Sequence, residues 1–387
     1  MARINTKAFA FFLKSGSVLP VTPANFLELG EKLLMSPTTK TENIKVYNGK
    51  LGANDSYADA CDTTLEGASF MHRMRYQNAA ADALDTVPSY GELLKIGGFS
   101  EAIVTTSGQE TVIYTWNKDN SPALGSAVYY LDGKKQTMTN TVALNTEFNF
   151  TVGEIANITG TMSAFLDNYG VASFATLVLS SVTGLAIGDV LTGDTSSATG
   201  TVIAITGTTV ELKGVTGTFT VGGEALNTAA YTSTSANQSN PTVTLGTEGS
   251  LVVGCADVYS KDGTAVIGAN NISINMGAMI NKYYGFSLKE YETSDFESTI
   301  TMSFPVDATD YNDAIEALQA QSLIDIVVKL GTDATSTEVN GKTVVMTITN
   351  CKLSSYSDGD ENDSISRTEN FILTASSAFT IKHGFYA

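Results

Sequence analysis

Gly67–Tyr76 reads GASFMHRMRY and is followed, after a polar stretch, by Pro88–Gly98, PSYGELLKIGG. Phe296–Phe304 reads FESTITMSF and is followed by Val306–Ser322, VDATDYNDAIEALQAQS. Each pair predicts an alternating strand, a loop and a small amphipathic helix. Tyr90, Leu93, Leu94 and Gly97 recur as Tyr311, Ala314, Ile315 and Leu318, the i, i+3, i+4, i+7 spacing of one helix face. More strands follow each helix. In the first copy they are Ala127–Leu131 with Gln136–Leu144, then Glu147–Val152 and Ile155–Phe165. In the second they are Val344–Ile348, Cys351–Tyr356 and Ser366–Thr374. A duplicated strand-rich module repeats shape rather than chemistry, which points to a building block.

The bulk properties agree. The 387 residues suffice for two or three domains with a real core. Charged residues make up 16% of the chain, against about 25% in a typical domain. Polarity comes instead from Thr, Ser, Asn and 34 glycines, the composition of strands and turns. The net charge of −18 shows no basic patch for holding phosphates. Cys61, Cys255 and Cys351 are odd in number and far apart, which favours reduced thiols over a disulfide framework. The apolar run Ala8–Leu13, between Lys7 and Lys14, is too short for a membrane span and reads as an N-terminal arm or strand. With no other membrane segment, the product is expected to be soluble.

Thr22-Pro23 predicts a helix over Pro23–Met35 that buries Phe26, Leu29, Leu33 and Leu34, and Ser36–Lys40 reads as a loop. Asn48-Gly49, Asp132-Gly133, Asp262-Gly263 and Asn340-Gly341 are hairpin-turn dipeptides. Between the modules, Ala175–Leu245 is mostly Thr, Gly, Val, Ala and Ser, with Asp189, Asp194, Glu211, Lys213 and Glu224 its charged residues. Strands are expected at Thr176–Ser180, Gly200–Ile205, Thr209–Lys213 and Thr218–Val221, making a small inserted β-domain.

No catalytic, cofactor or metal site is readable. His72 and His383 are the two histidines, and neither HExxH nor paired Cys/His spacing occurs. His72 reads as structural in mid-strand, and His383 as a contact of the C-terminal tail. Asn340–Thr343 lacks the first glycine of a phosphate loop, since Ser336 stands there. The acidic Ser357–Asp363 run lacks the glycine and glutamate placement of a calcium loop and reads as a solvated turn. Tyr283-Tyr284 with Phe286 reads as a loop or inter-subunit contact. Arg73 and Arg75 share a strand face, as do Glu297, Thr299 and Thr301. These five are expected on a lumen or inter-subunit face, with a plain solvated face as the equal alternative for the two arginines, while Ile300, Met302 and Phe304 pack on the helix carrying Ile315 and Leu318.

TLEGASFMHRMRY (Thr64–Tyr76), PSYGELLKIGGFSE, Ser126–Leu166 and Cys351–Ser377 together resemble the tail tube proteins of long-tailed bacteriophages. The resemblance is to the type with two tube domains on one chain. It implies a mainly β fold: two tandem tube-type β-sandwich or barrel domains, each with a flanking helix, plus the inserted all-β domain. The boundaries would be an N-terminal arm over 1–40, a first tube domain over 41–168, the insert over 169–247 and a second tube domain over 248–387. It also implies a virion protein, assembled in the host cytoplasm, whose stacked rings conduct DNA without binding it specifically. Single-module tubes are six-fold, so a double-module chain would form trimers. Its partners would be itself, tail terminator and tail-tip proteins, with no cofactor, no enzyme activity and no membrane insertion. The acidic charge would then repel DNA from the channel wall. The alternatives are a tail-tip adaptor or glycan-binding tail component, and a glycosidase, for which no residues are positioned.

Overall fold

The computed structural model describes residues 9–17, 25–30, 33, 37–45, 54–76, 87–106, 110–117, 119, 121–131, 134–168, 174–217, 219–220, 224–228, 232–239, 252, 258–266, 268–284, 289–306, 312–331, 341–361 and 364–384. The protein is mainly β. The chain begins with β1 (Phe9–Ser15), β2 (Pro37–Lys45) and the long β3 (Asn54–Arg73), then α1 (Gly91–Ile96). β4 (Ser100–Val104), β5 (Thr111–Trp116), β6 (Gly125–Leu131), β7 (Lys134–Thr151) and β8 (Asn157–Asn168) complete the first repeat. The insert holds β9 (Phe174–Leu179), β10 (Val190–Gly193), β11 (Thr199–Thr206), β12 (Thr209–Thr216), β13 (Ala225–Asn227) and β14 (Thr232–Ser239). The second repeat opens with β15 (Val258–Lys261), β16 (Thr264–Ala265), β17 (Asn271–Asn275) and the hairpin of β18 (Ala278–Tyr284) with β19 (Lys289–Phe296). It continues with β20 (Thr299–Pro305), α2 (Asp313–Ala320), β21 (Ile324–Leu330), β22 (Val344–Glu361), β23 (Ser364–Leu373) and β24 (Phe379–Gly384).

The duplication is visible in strand order. One large sheet runs β21-β22-β23-β20-β17-β7-β8-β3-β2, so each repeat folds its long hairpin (β7–β8, β22–β23) against one central strand (β3, β20). β6 flanks β7 as β21 flanks β22. The match extends to single backbone conformations. Asn145 in β7 (φ 48°) and Asn350 in β22 (φ 57°) are both left-handed, at the same step before the paired core residues Thr146/Phe148 and Cys351/Leu353. Asparagine tolerates this region better than most residues because its side chain can hydrogen-bond locally.

Contacts divide the chain into two compact units. One comprises Met1–Phe11, Val128–Met138 and Leu166–Leu245; the other comprises Phe12–Ala127, Thr139–Phe165 and Gly246–Ala387. The second repeat and most of the first therefore lie in one unit, where β17 of the second pairs with β7 of the first over five residues, Asn271↔Thr151 to Asn275↔Glu147; Val128–Met138 of β6 and β7 belongs to the other. Their cores merge as well. Phe99 and Phe148 from the first repeat stack edge-on with Phe379 of the second, at centroid distances of 5.5 and 5.4 Å. Trp116 meets Phe296 at 5.1 Å. In the other unit, β9–β14 close into a barrel around Leu177, Leu179, Leu191, Val202, Val210, Leu212, Phe219 and Leu226.

Several local expectations are corrected. Asn25–Gly30, within the expected helix Pro23–Met35, is not α-helical. Phe26 forms a β-bridge with Phe12, and the Gly30 N–H donates to the Met71 carbonyl at 2.7 Å, so these backbone groups serve the sheet instead of a helical ladder. The expected loop Ser36–Lys40 is strand from Pro37 onward, drawn into register with β3. Phe219 and Thr220, inside the expected strand Thr218–Val221, are not strand, whereas β10, β13 and β14 close the barrel. The α2 residue that buries fully is Ala314; Ile315 stays 43% exposed and Leu318 half-buried. α1 differs because Tyr90, Leu93, Leu94 and Ile96 are all fully buried and the β4–β5 hairpin, which has no counterpart after α2, follows it. Asp262-Gly263 turns with both residues at positive φ (49° and 77°), as its hairpin requires. Asn48-Gly49, Asp132-Gly133, Asn340 and Phe286 lie outside the described residues.

Candidate functional site

Two strand edges and one sheet face are the features that chemistry can use. β22 changes neighbours halfway along. Residues Val344–Cys351 lie between β21 on one side and β24, then β23, on the other. Beyond them, Lys352–Glu361 pairs with β23 alone among the described residues. In the first repeat, the corresponding half of β7 is covered by β17. At the opposite end the sheet stops at β2, whose only described partner is β3. The segment that leads into β2 is bonded through Gly30 to Met71. It thus takes the place beside β3 that β17 takes beside β20. The open half of β22 and the β2 side are therefore two complementary edges, each a row of backbone donors and acceptors, beside the one-sided strands β16, β4 and β1.

Across β23, β20, β17, β7, β8 and β3, alternate residues turn away from the core, and this outer face is polar. Thr301 donates to Asn370 at 2.9 Å, Ser303 and Thr368 share a bond at 3.0 Å, and Thr151 and Asn149 bond Asn271 and Thr159 at 3.4 Å. Ser273 donates to Glu147. Ser69, Thr159, Thr161, Asn275 and Thr299 continue the face, and among the described side chains of these six strands it also carries the exposed Ile372 and the charged Glu66, Glu147 and Arg73. The inner face carries Phe70, Phe148, Phe150, Ile158, Ile272, Ile274, Ile300, Met302 and Phe371, all buried. Period-2 alternation sorts the two sets cleanly.

The five residues singled out by sequence divide. Arg73, Thr299 and Thr301 lie on the polar face. Glu297 is exposed just before β20, its N–H bonded to the Gly277 carbonyl. Arg75 is instead turned inward to an ion pair with Glu28 of its own chain. Ser357–Glu361 of the acidic run is strand, and Asp358 binds the buried Arg367 in two bonds of 2.7 and 3.2 Å. Arg367 also lies 4.7 Å from the Tyr356 ring centre, so this acid is part of a packed ion pair. Among the described residues no His/Cys/Asp/Glu group could hold a metal ion, and no helix is long and apolar enough to cross a membrane.

His383 is no tail contact. It is buried on β24, where Nε2 and the Tyr90 hydroxyl share a hydrogen bond at 2.9 Å. Burial lowers its pKa to about 3. His72 is equally buried, its Nδ1 2.6 Å from the Glu28 carbonyl, and burial with the nearby Arg75 charge lowers its pKa to about 4. Tyr114 donates to Glu101 at 2.8 Å, and burial followed by that carboxylate raises its pKa strongly. Burial pushes the Cys351 thiol up to about 12, which leaves it unreactive. These groups bind one another and the backbone; none opens onto the polar face as a reactive pair.

In the barrel, Glu224 is 4% exposed and accepts N–H bonds from Thr195 at 3.0 Å, Ser196 at 2.5 Å and Thr220 at 2.7 Å. Burial alone would raise its pKa, but these N–H donors outweigh it and hold the carboxyl below its usual value. Sequence reading showed Glu224 as one charge among few; its partners are backbone groups with no residue signature. Glu224→Ala removes the acceptor of three backbone donors and is expected to cost the barrel about 2 kcal/mol, seen as a lower melting temperature.

No family model and no curated sequence matches the chain. Among solved structures, it is similar to a chain of the sheath–tube complex of an extracellular contractile injection system, PVC, in its extended state. That likeness has 17% identity, covers 33% of this chain and 88% of the other, and has a TM-score of 0.26. It is similar also to the tube-terminating cap of the anti-feeding prophage, at 17% identity over 32% of this chain and 86% of the other, with a TM-score of 0.25.

Proposed function

We propose that the chain is a structural subunit that joins copies of itself edge to edge into closed rings, which stack as a tail tube and conduct DNA. The observation that carries this reading is the β17–β7 ladder. Inside one chain, the second repeat already completes the edge of the first. The same step repeated between chains would set the Gly30–β2 edge of one copy on Lys352–Glu361 of the next. A head-to-tail interface of this kind generates a ring when its rotation closes. It also covers these two edges, which would otherwise invite uncontrolled pairing. With two repeats per chain, three copies supply the six modules that the tube resemblance implies. A ring of this sort performs no bond chemistry, and its neighbours in a tail would be terminator and tip proteins.

The helix-bearing side of the sheet is the bulky one, so the polar face is assigned to the channel. Its wall is then mostly hydroxyl and amide, with Arg73 as its one basic group among the described side chains, so phosphates slide past a surface with little to hold them. This differs from repulsion by an acidic lining. Partition of a short DNA duplex into assembled tubes is expected to match that of a neutral polymer of equal size. The ratio should change less than about twofold between low and high salt, because the few charges among the hydroxyls and amides give only a weak field to be screened. An acidic wall would exclude DNA at low salt and readmit it at high salt.

Sedimentation velocity over rising concentration tests the assembly itself. Conversion of monomer to one discrete closed species, followed by its multiples, is expected. Monomer throughout, or an open ladder of every size, would refute ring closure.

A further inference from the structure

The β18–β19 hairpin rests on the first repeat, and the internal duplication indicates where its counterpart must rest. Lys282 of β18 lies 3.3 Å from a Glu66 carboxylate oxygen and 3.4 Å from the Thr64 hydroxyl. Its ammonium sits 5.7 Å from the Phe165 ring centre, and Phe165 packs on Tyr291 of β19 at 5.0 Å. The hairpin leaves the sheet between β17 and the central strand β20. In the first repeat, β2 and the first half of β3 form the equivalent hairpin, in register from Lys40↔Asp59 to Lys45↔Asn54. Each central strand resumes after a glutamate: Leu65-Glu66-Gly67-Ala68-Ser69-Phe70 matches Phe296-Glu297-Ser298-Thr299-Ile300, with Gly67 the extra residue at a register shift. Glu297 is therefore the counterpart of Glu66. Both are exposed, but Glu66 has its lysine within the chain, whereas Glu297 forms no ion pair among the described residues.

We infer that Glu297 is a docking point for the β2–β3 hairpin of a second copy of this chain, as Glu66 is for β18–β19. The inference rests on the ring reading and adds a second, side-chain contact to the backbone seam. The sequence of β2 includes Lys40 and Lys45, amines of the charge that suits a carboxylate. A rim pair of this kind contributes orientation and speed of encounter more than affinity.

Zero-length carbodiimide cross-linking of the full chain, mapped by peptide mass spectrometry, tests it. Glu66–Lys282 serves as the internal standard, expected in monomer and assembly alike. A Glu297 link to Lys40 or Lys45 is expected only in the assembled fraction. Mixing isotope-labelled and unlabelled protein must show that this link joins two chains. Glu297→Lys should raise the concentration for half-assembly roughly tenfold without moving the melting temperature, since the residue is exposed. Rings that form normally with Glu297→Lys and give no Glu297 link would overturn the docking point while leaving ring closure intact. Absence of any assembly would overturn both.

Discussion

A single proline on the open half of β22 is expected to hold the protein as a monomer while leaving its melting curve unchanged. Successive N–H groups along a strand point to opposite sides. Of Tyr356→Pro and Ser357→Pro, one removes a donor to β23 and lowers stability, and the other removes a donor from the free edge. The second kind strips a hydrogen bond that exists only between chains, and its ring also stands where the incoming strand must lie. Sedimentation separates the pair: the variant that melts like the parent should lose ring formation at any workable concentration. If that variant still closed into rings, the seam would lie elsewhere.

Acid is expected to destabilise the unit holding the second repeat and most of the first well before its carboxylates titrate. His72 and His383 are buried neutral, with pKa values near 4 and 3, whereas in the unfolded chain each returns to about 6.5. Between these limits the unfolded chain binds the proton and the folded one does not. Their contribution is therefore complete above pH 6.5 and declines as pH falls toward the folded values. At pH 5 each costs about 2 kcal/mol, so both together cost about 4 kcal/mol, a large share of ordinary domain stability. Denaturant unfolding at pH 7 and pH 5 measures this directly. The double variant His72→Gln with His383→Gln should lose most of the pH slope, whatever it does to stability at pH 7. An unchanged slope would mean that other groups carry the acid response.

The parts of the fold legible in sequence were those written in side-chain alternation. Ile300, Met302 and Phe304 alternate with Thr299, Thr301 and Ser303, and that pattern alone places β20 with its buried and polar faces. The α1 face read from Tyr90, Leu93, Leu94 and Gly97 is likewise buried as its spacing indicates. What sequence could not reveal depended on partners distant along the chain. Phe26 and Leu29 have helical spacing, yet the segment is claimed by Phe12 and Met71 through the backbone. Ile315 matches Leu94 in spacing but remains exposed, because a cover is a property of the tertiary fold. His383 looked terminal by number and is central by packing, since β24 inserts between β22 and β5. The open edges themselves have no sequence signature. They follow from strand order, which is set by long-range pairing and emerges only when both repeats are placed in one sheet.

Electron cryomicroscopy of the purified, concentrated chain tests the central claim most directly. Closed rings are expected in which each junction between chains is a β-ladder, with Lys352–Glu361 of one copy beside the Gly30–β2 edge of the next and the Thr/Ser/Asn face toward the hole. Rings joined through the helices, or a channel lined by the opposite face, would contradict it.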